Sequence, residues 1–198
     1  MSRSTLNRNR VWLNHFPVNE AFINKWQNAL PKTWPHLHHY CMGLAVLSHA
    51  ERATPGSDSA LRAFHFAAGE IGYTRIRSSP GSPLWSEMTI NQARALEGGG
   101  DRERAIHELQ QLVERSPSDT NARVALARTL KRGGDIAEAV TVLEQALADD
   151  AKRGPVLFYL ARYYYELGEV EKASKAVVEA EHAGMKMDSI RERIGPLP

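Results

Sequence analysis

The sequence predicts an all-α fold, a solenoid of about four helical hairpins behind an N-terminal extension, and three observations carry that prediction. Gly100, Gly134 and Gly168 stand 34 residues apart. Two alanine columns keep the same step, Ala93, Ala127 and Ala161 and then Ala105, Ala139 and Ala173, joined by Leu109, Leu143 and Val177. Apolar residues also recur at helical spacing on both sides of each glycine. In the middle repeat Val124, Leu126, Ala127 and Leu130 precede the break, and Ile136, Ala139, Val140, Leu143, Ala146 and Leu147 follow it. A 34-residue period is the length of one helix-turn-helix unit. The small residues mark close helix crossings, and the larger ones fill the space between the helices.

Residues 1–31 read as an extension whose first ten positions are rich in Asn and Arg and lack an apolar period. Trp12, Phe16, Phe22 and Trp26 follow. The spacing of Phe22, Ile23, Trp26 and Leu30 predicts a short helix, capped by Asn19 and closed by Pro31, that covers one end of the solenoid. Residues 32–83 are expected to form a divergent hairpin. Its first helix spans 34–53 with Pro35 in the first turn, where a missing N–H costs nothing. The candidate buried residues there are Leu37, Tyr40, Cys41, Leu44, Ala45, Leu47 and Ala50. After the break "TPGSDS", a second helix runs from about Ser59 to Arg77 with Leu61, Phe64, Ala67, Ala68, Ile71, Tyr73 and Ile76 inside.

Three registered units fill residues 84–184, at about 86–117, 120–151 and 154–184. In the first, Gln92 stands where a large apolar residue is expected and Leu112 where a small one is. Either that unit is looser, or Gln92 finds a partner in the divergent hairpin. Asp101 is placed to cap the second helix of its unit, and Asp135 with Glu138 forms a capping-box-like pair in the next. Residues 185–198 form a tail that can build a short capping helix through Ile190 and Ile194.

Composition narrows the function. The chain is 42% apolar and 24% charged, with a net charge of +2. No run approaches the roughly 18 apolar residues of a membrane span. The basic N-terminus has no apolar signal-peptide core behind it, so a cytoplasmic location is expected, with a periplasmic one if a leader is missing from the given chain. Cys41 is the only cysteine, which excludes an intramolecular disulfide and a four-cysteine zinc site. Residues 1–35 carry +4 and the remainder −2, too small an excess for a nucleic-acid-binding body. "EGGGD" lacks the lysine and hydroxyl of a phosphate loop, and no serine sits in a nucleophile elbow. Neither enzyme activity nor a cofactor is expected.

The stretch "LARTLKRGGDIAEAVTVLEQAL" at 126–147 resembles the tetratricopeptide-repeat (TPR) family. The resemblance implies a right-handed solenoid whose first helices line a concave groove that binds a protein partner, as a scaffold or assembly subunit does. Arg94, Arg128 and Arg162, again 34 apart, would then line the groove beside Ile90, Val124 and Phe158. Tyr165 is expected towards the groove and Tyr164 in the core. The family's carboxylate clamp for chaperone tails needs Lys and Asn at places where this chain has Ile90, Val124, Ala125, Pro155 and Tyr159, so a chaperone-tail adaptor is not expected. Inner helices about 10 Å apart and an extended rise of about 3.3 Å per residue together predict a partner segment with an acidic group about every third residue, or an acidic helix face of similar pitch. The competing expectation is that the arginines pair with Glu87, Glu97 and Glu166.

One further stretch, "WPHLHHYCMGL" at 34–44, has site-like chemistry. His36, His38, His39 and Cys41 would suit a soft or borderline metal, or a haem-associated protein, as the alternative function. Adjacent helical positions point apart, which opposes convergence of three ligands; core and solvated roles are the expectation. This stretch also resembles one carried by a group of bacterial TPR proteins, many with secretory leaders, and it implies no enzyme activity.

Overall fold

Every regular element in the computed structural model is helical among the residues it describes, 20–148 and 153–194. The expected Asn19 cap, Trp12, Phe16 and the first ten positions lie outside the described residues. The chain divides into two compact units, residues 1–101 and 102–198. None of the described helices is long and apolar enough to cross a membrane.

The first unit holds α1 (Glu20–Ala29), a 3-10 turn (Trp34–His36), α2 (Leu37–Ala50), α3 (Asp58–Arg77) and α4 (Trp85–Gly98). Pro35 thus lies in the 3-10 turn, and the α-helix begins two residues later. Ser57 starts α3 by accepting a hydrogen bond from the Ala60 N–H at 3.3 Å. Helix α3 packs on both α2 and α4. Tyr40, Leu47, Ala67, Ile71, Met88 and Ala93 are buried between them. The α2–α3 crossing is tight because Gly43 has no side chain: a Cβ there would lie 2.6 Å from Ile71 Cγ1 and 3.3 Å from the Ala67 carbonyl oxygen.

Gln92 proves to have its partners in the divergent hairpin. It is 4% exposed; its Oε1 accepts from Arg75 Nε at 2.7 Å and its Nε2 donates to the Ala68 carbonyl at 3.4 Å, both on α3. Three residues expected inside are instead exposed: Cys41 and Ala45 on α2, and Ile76 on α3. Cys41 and Ala45 are one turn apart and lie on the opposite side of α2 from Tyr40, Gly43, Leu47 and Ala50, which α3 covers. Ile76, 67% exposed, sits with Phe66 and Gly69 on the outer face of α3.

The second unit comprises α5 (Arg102–Arg115), α6 (Thr120–Gly133), α7 (Ile136–Ala148), α8 (Arg153–Glu166), α9 (Val170–His182) and α10 (Asp188–Ile194). Each helix packs on the next, and α6 also lies beside α8. Asp119 caps α6 by accepting from the Asn121 and Ala122 N–H groups at 2.9 and 3.2 Å. Leu112, the large residue at a small position, is nonetheless buried. Met187 and Ile190 are buried as well, and Arg191 forms a two-pronged pair with Glu181, which ties α10 to α9.

The glycine period has a common cause in both units. Gly134 and Gly168 adopt φ of 100° and 79°, and the N–H of the following residue reaches back to the helix at Leu130 and Tyr164, 3.1 and 2.8 Å away. Gly100 and Gly184 repeat the arrangement, closing on Leu96 and Ala180. This left-handed helix stop strains any residue with a Cβ, so the repeat must restart at glycine.

Ala161 is fully buried on α8. Ala161→Leu is expected to destabilise the second unit by about 1–3 kcal/mol through overpacking. Urea unfolding followed by far-UV circular dichroism reads this as an earlier transition; an unchanged midpoint would mean that the crossing is not tight.

Candidate protein-interaction surface

Within the second unit, the period places Val124, Ala125, Arg128 and Lys131 on α6 beside Phe158, Tyr159, Arg162 and Glu166 on α8. Two contacts cross this seam. Lys131 Nζ meets Glu166 Oε2 at 2.9 Å, and the Arg128 guanidinium lies 5.8 Å from the centroid of the Tyr159 ring. Arg162 lies at the same distance over Phe158, one turn back on its own helix. The rings form a continuous aromatic shelf, with Phe158 edge-on to Tyr159 at 5.2 Å and Tyr159 tilted against Tyr163 at 6.0 Å. Val124, Phe158 and Tyr159 are half-buried, whereas both arginines are exposed. Neither arginine pairs with a carboxylate among the described residues. The surface therefore offers positive charge on an apolar floor, a chemistry suited to anionic side chains with some apolar contact.

The other arginine of the period behaves differently. Arg94, in the first unit, donates to Glu51 Oε1 at 2.6 Å and to Asn91 Oδ1 at 2.8 Å. Its partner is not one of the three glutamates that the sequence suggested. Glu87 accepts instead from the Tyr40 hydroxyl at 2.7 Å, and Glu166 serves Lys131. Ile90 is half-buried on α4 of that unit. Tyr165 is half-buried under the Arg193 guanidinium of α10, 5.3 Å from its ring centroid. Tyr164 is buried and donates to Glu144 at 2.6 Å.

Reasoning from sequence singled out neither Tyr159 nor Tyr163 as part of the site. The signal was present, since they stand 34 residues after Ala125 and Thr129, next to the positions of the arginines. Burial pushes the Tyr163 hydroxyl pKa up to about 12, with Tyr159 adding to the rise and Arg128 and Arg162 opposing it. A raised folded-state value means that the neutral phenol is the form the fold favours. Its contribution to stability is complete below the ordinary value of 10.0 and is lost as pH climbs from there through about 12. The urea midpoint of the second unit should fall across that window, and Tyr163→Phe should flatten the fall.

The histidine stretch occupies the 3-10 turn and α2 of the first unit. His39 Nδ1 sits 2.5 Å from Glu70 Oε2, and its ring lies tilted against that of Tyr73, 4.4 Å between centroids. His36 meets the same tyrosine edge-on at 5.4 Å, and Arg77 covers it at 3.7 Å. Burial, then Arg77 and His39, lower the His36 pKa. Desolvation raises that of Cys41, away from thiolate reactivity. Among the described residues, no group of three or more His, Cys, Asp or Glu is placed to hold a metal ion.

Comparison with known protein families matches the tetratricopeptide repeat twice, over residues 90–154 and 130–186. Residues 90–186 are tetratricopeptide repeats. Such repeats are typically non-enzymatic scaffolds for protein interaction. Among solved structures, a mutant of MamA aligns over 75% of this chain and 96% of its own, at 18% identity and a TM-score of 0.39. No curated protein matches the sequence.

Proposed function

We propose that this TPR protein is a scaffold or assembly subunit that holds an acidic segment of a protein partner on the α6–α8 face. The observation that carries this reading is the pair Arg128 and Arg162, exposed on an aromatic shelf with no carboxylate partner among the described residues. Exposed guanidiniums that a fold leaves uncompensated are the natural counterpart of an acidic surface. Phe158 and Val124 supply the apolar contact, and Tyr165, half-buried under Arg193, is not assigned a part in it. Arg94, held by Glu51 and Asn91, is not assigned a part in binding, which reduces the expected arginine column to two.

Affinity capture on the tagged full chain at about 0.1 M and about 1 M salt tests the reading, because the Debye length shrinks from about 10 to 3 Å. Proteins recovered at low salt should carry acidic runs and should be lost at high salt. Capture that is indifferent to salt would overturn the proposal.

A further inference from the structure

We infer that a pair of carboxylates in the bound segment is held by four donors, the guanidiniums of Arg128 and Arg162 and the hydroxyls of Tyr159 and Tyr163. This rests on the acidic-segment reading above and adds the two tyrosines to it.

The buried tyrosines of this chain do not all satisfy their hydroxyls in the same way. Tyr40 and Tyr164 each donate to a glutamate, at 2.7 and 2.6 Å. Tyr163 is only 4% exposed and makes no such donation among the described residues, and neither does Tyr159, yet neither oxygen is one of the buried polar atoms left without a partner. Both hydroxyls are therefore open to water, which an acceptor on a bound segment can replace. The charges of Arg128 and Arg162 both act on the Tyr163 hydroxyl, and the Tyr159 ring packs 6.0 Å from that of Tyr163. Glu166, the carboxylate that acts on the Tyr163 hydroxyl among the described residues, pairs with Lys131 at 2.9 Å. What remains is two positive charges and two phenolic O–H groups with no protein acceptor among the described residues. Two carboxylates match this set in charge and in acceptor atoms. With α6 and α8 about 8–10 Å apart and an extended rise of about 3.3 Å per residue, the two acids should stand two or three residues apart.

The test is an NMR titration of the full chain carrying tyrosine labelled with ¹³C at the ring ζ carbon, which senses hydrogen bonding at the hydroxyl. The probes are synthetic peptides with two glutamates three residues apart in an alanine–glycine background, the same peptide with glutamines, and one with a single phosphoserine. The glutamate peptide should shift the Tyr159 and Tyr163 signals saturably, and the glutamine peptide should not. Tyr159→Phe/Tyr163→Phe should weaken the glutamate peptide by about tenfold or more, as expected for hydrogen bonds to charged groups. If that variant binds within twofold of the wild type while Arg128→Gln/Arg162→Gln does not bind, the four-donor set fails and the acidic-segment reading stands. Binding that survives the arginine changes, or no binding by the wild type at millimolar peptide, overturns both. Saturation by phosphoserine but not by the glutamate pair overturns the carboxylate assignment.

Discussion

Tyr40→Ala is expected to destabilise the 1–101 unit by about 3–5 kcal/mol, the cost of truncating a large buried ring. Tyr40 is 3% exposed and sits where α2 meets α4. Its hydroxyl donates to Glu87 Oε1 at 2.7 Å and accepts from Asn91 Nδ2 at 3.0 Å; Asn91 accepts in turn from Arg94 at 2.8 Å, which reaches Glu51 at 2.6 Å. The alanine removes the ring and breaks this chain at its buried end. Tyr40→Phe separates the two effects. It keeps the ring and leaves the buried Asn91 amide without its acceptor, a cost of about 1–3 kcal/mol; Glu87, being exposed, regains water. The measurement is convenient because Trp12, Trp26, Trp34 and Trp85 all lie within residues 1–101, so tryptophan fluorescence follows the unfolding of that unit alone. The alanine variant should unfold at markedly lower urea than the phenylalanine variant, and both below the wild type. Equal midpoints for the two variants would mean that packing contributes nothing beyond the hydroxyl.

The parts of this fold that were legible in sequence are those set by local backbone chemistry. Gly134 and Gly168 take positive φ and close the helix behind them, and that need recurs wherever a hairpin turns, so it prints a period. Ala127 and Ala161 mark buried crossings for the same reason. What escaped was chemistry decided by through-space neighbours. Helix α2 is apolar almost all round, and only the arrival of α3 on the Gly43 side selects which apolar residues are covered, leaving Cys41 and Ala45 outside. Arg94 finds Glu51 across 43 residues of chain, a pairing that no spacing rule reveals. Gln92 leaves two readings open in sequence, and only Arg75 and the Ala68 carbonyl beside it decide between them. At the candidate site the arginine step was visible, but the period averaged over Ala125 and Tyr159, which occupy equivalent positions and offer very different surfaces. The aromatic shelf is a property of one repeat rather than of the pattern.

Arg128→Glu/Arg162→Glu should abolish binding of the salt-sensitive partners while leaving the fold in place. Both side chains are exposed, and neither serves a carboxylate among the described residues, so their loss strands no buried charge. What the fold loses is two guanidinium–ring contacts, each worth about 0.5–1 kcal/mol at an exposed site. Helicity should therefore be unchanged and the urea midpoint only slightly lowered. The binding side is asymmetric. One exposed ion pair is worth only about 0.2–1 kcal/mol, so a single Arg→Ala change is expected to have little effect. Reversal of both charges instead replaces two attractions by two repulsions, and like charges brought together in an interface cost several kcal/mol, or a hundredfold and more in affinity. Two controls locate the effect. Arg128→Lys/Arg162→Lys keeps the charge and should retain most of the binding while losing the fork geometry of guanidinium–carboxylate contacts. Arg94→Glu places a second carboxylate beside Glu51, and should lower the stability of the first unit without removing the partners captured by the second. Affinity capture at low salt, with circular dichroism on each variant, decides the matter. Partners that remain bound to the doubly reversed protein would show that the α6–α8 face is not where they bind.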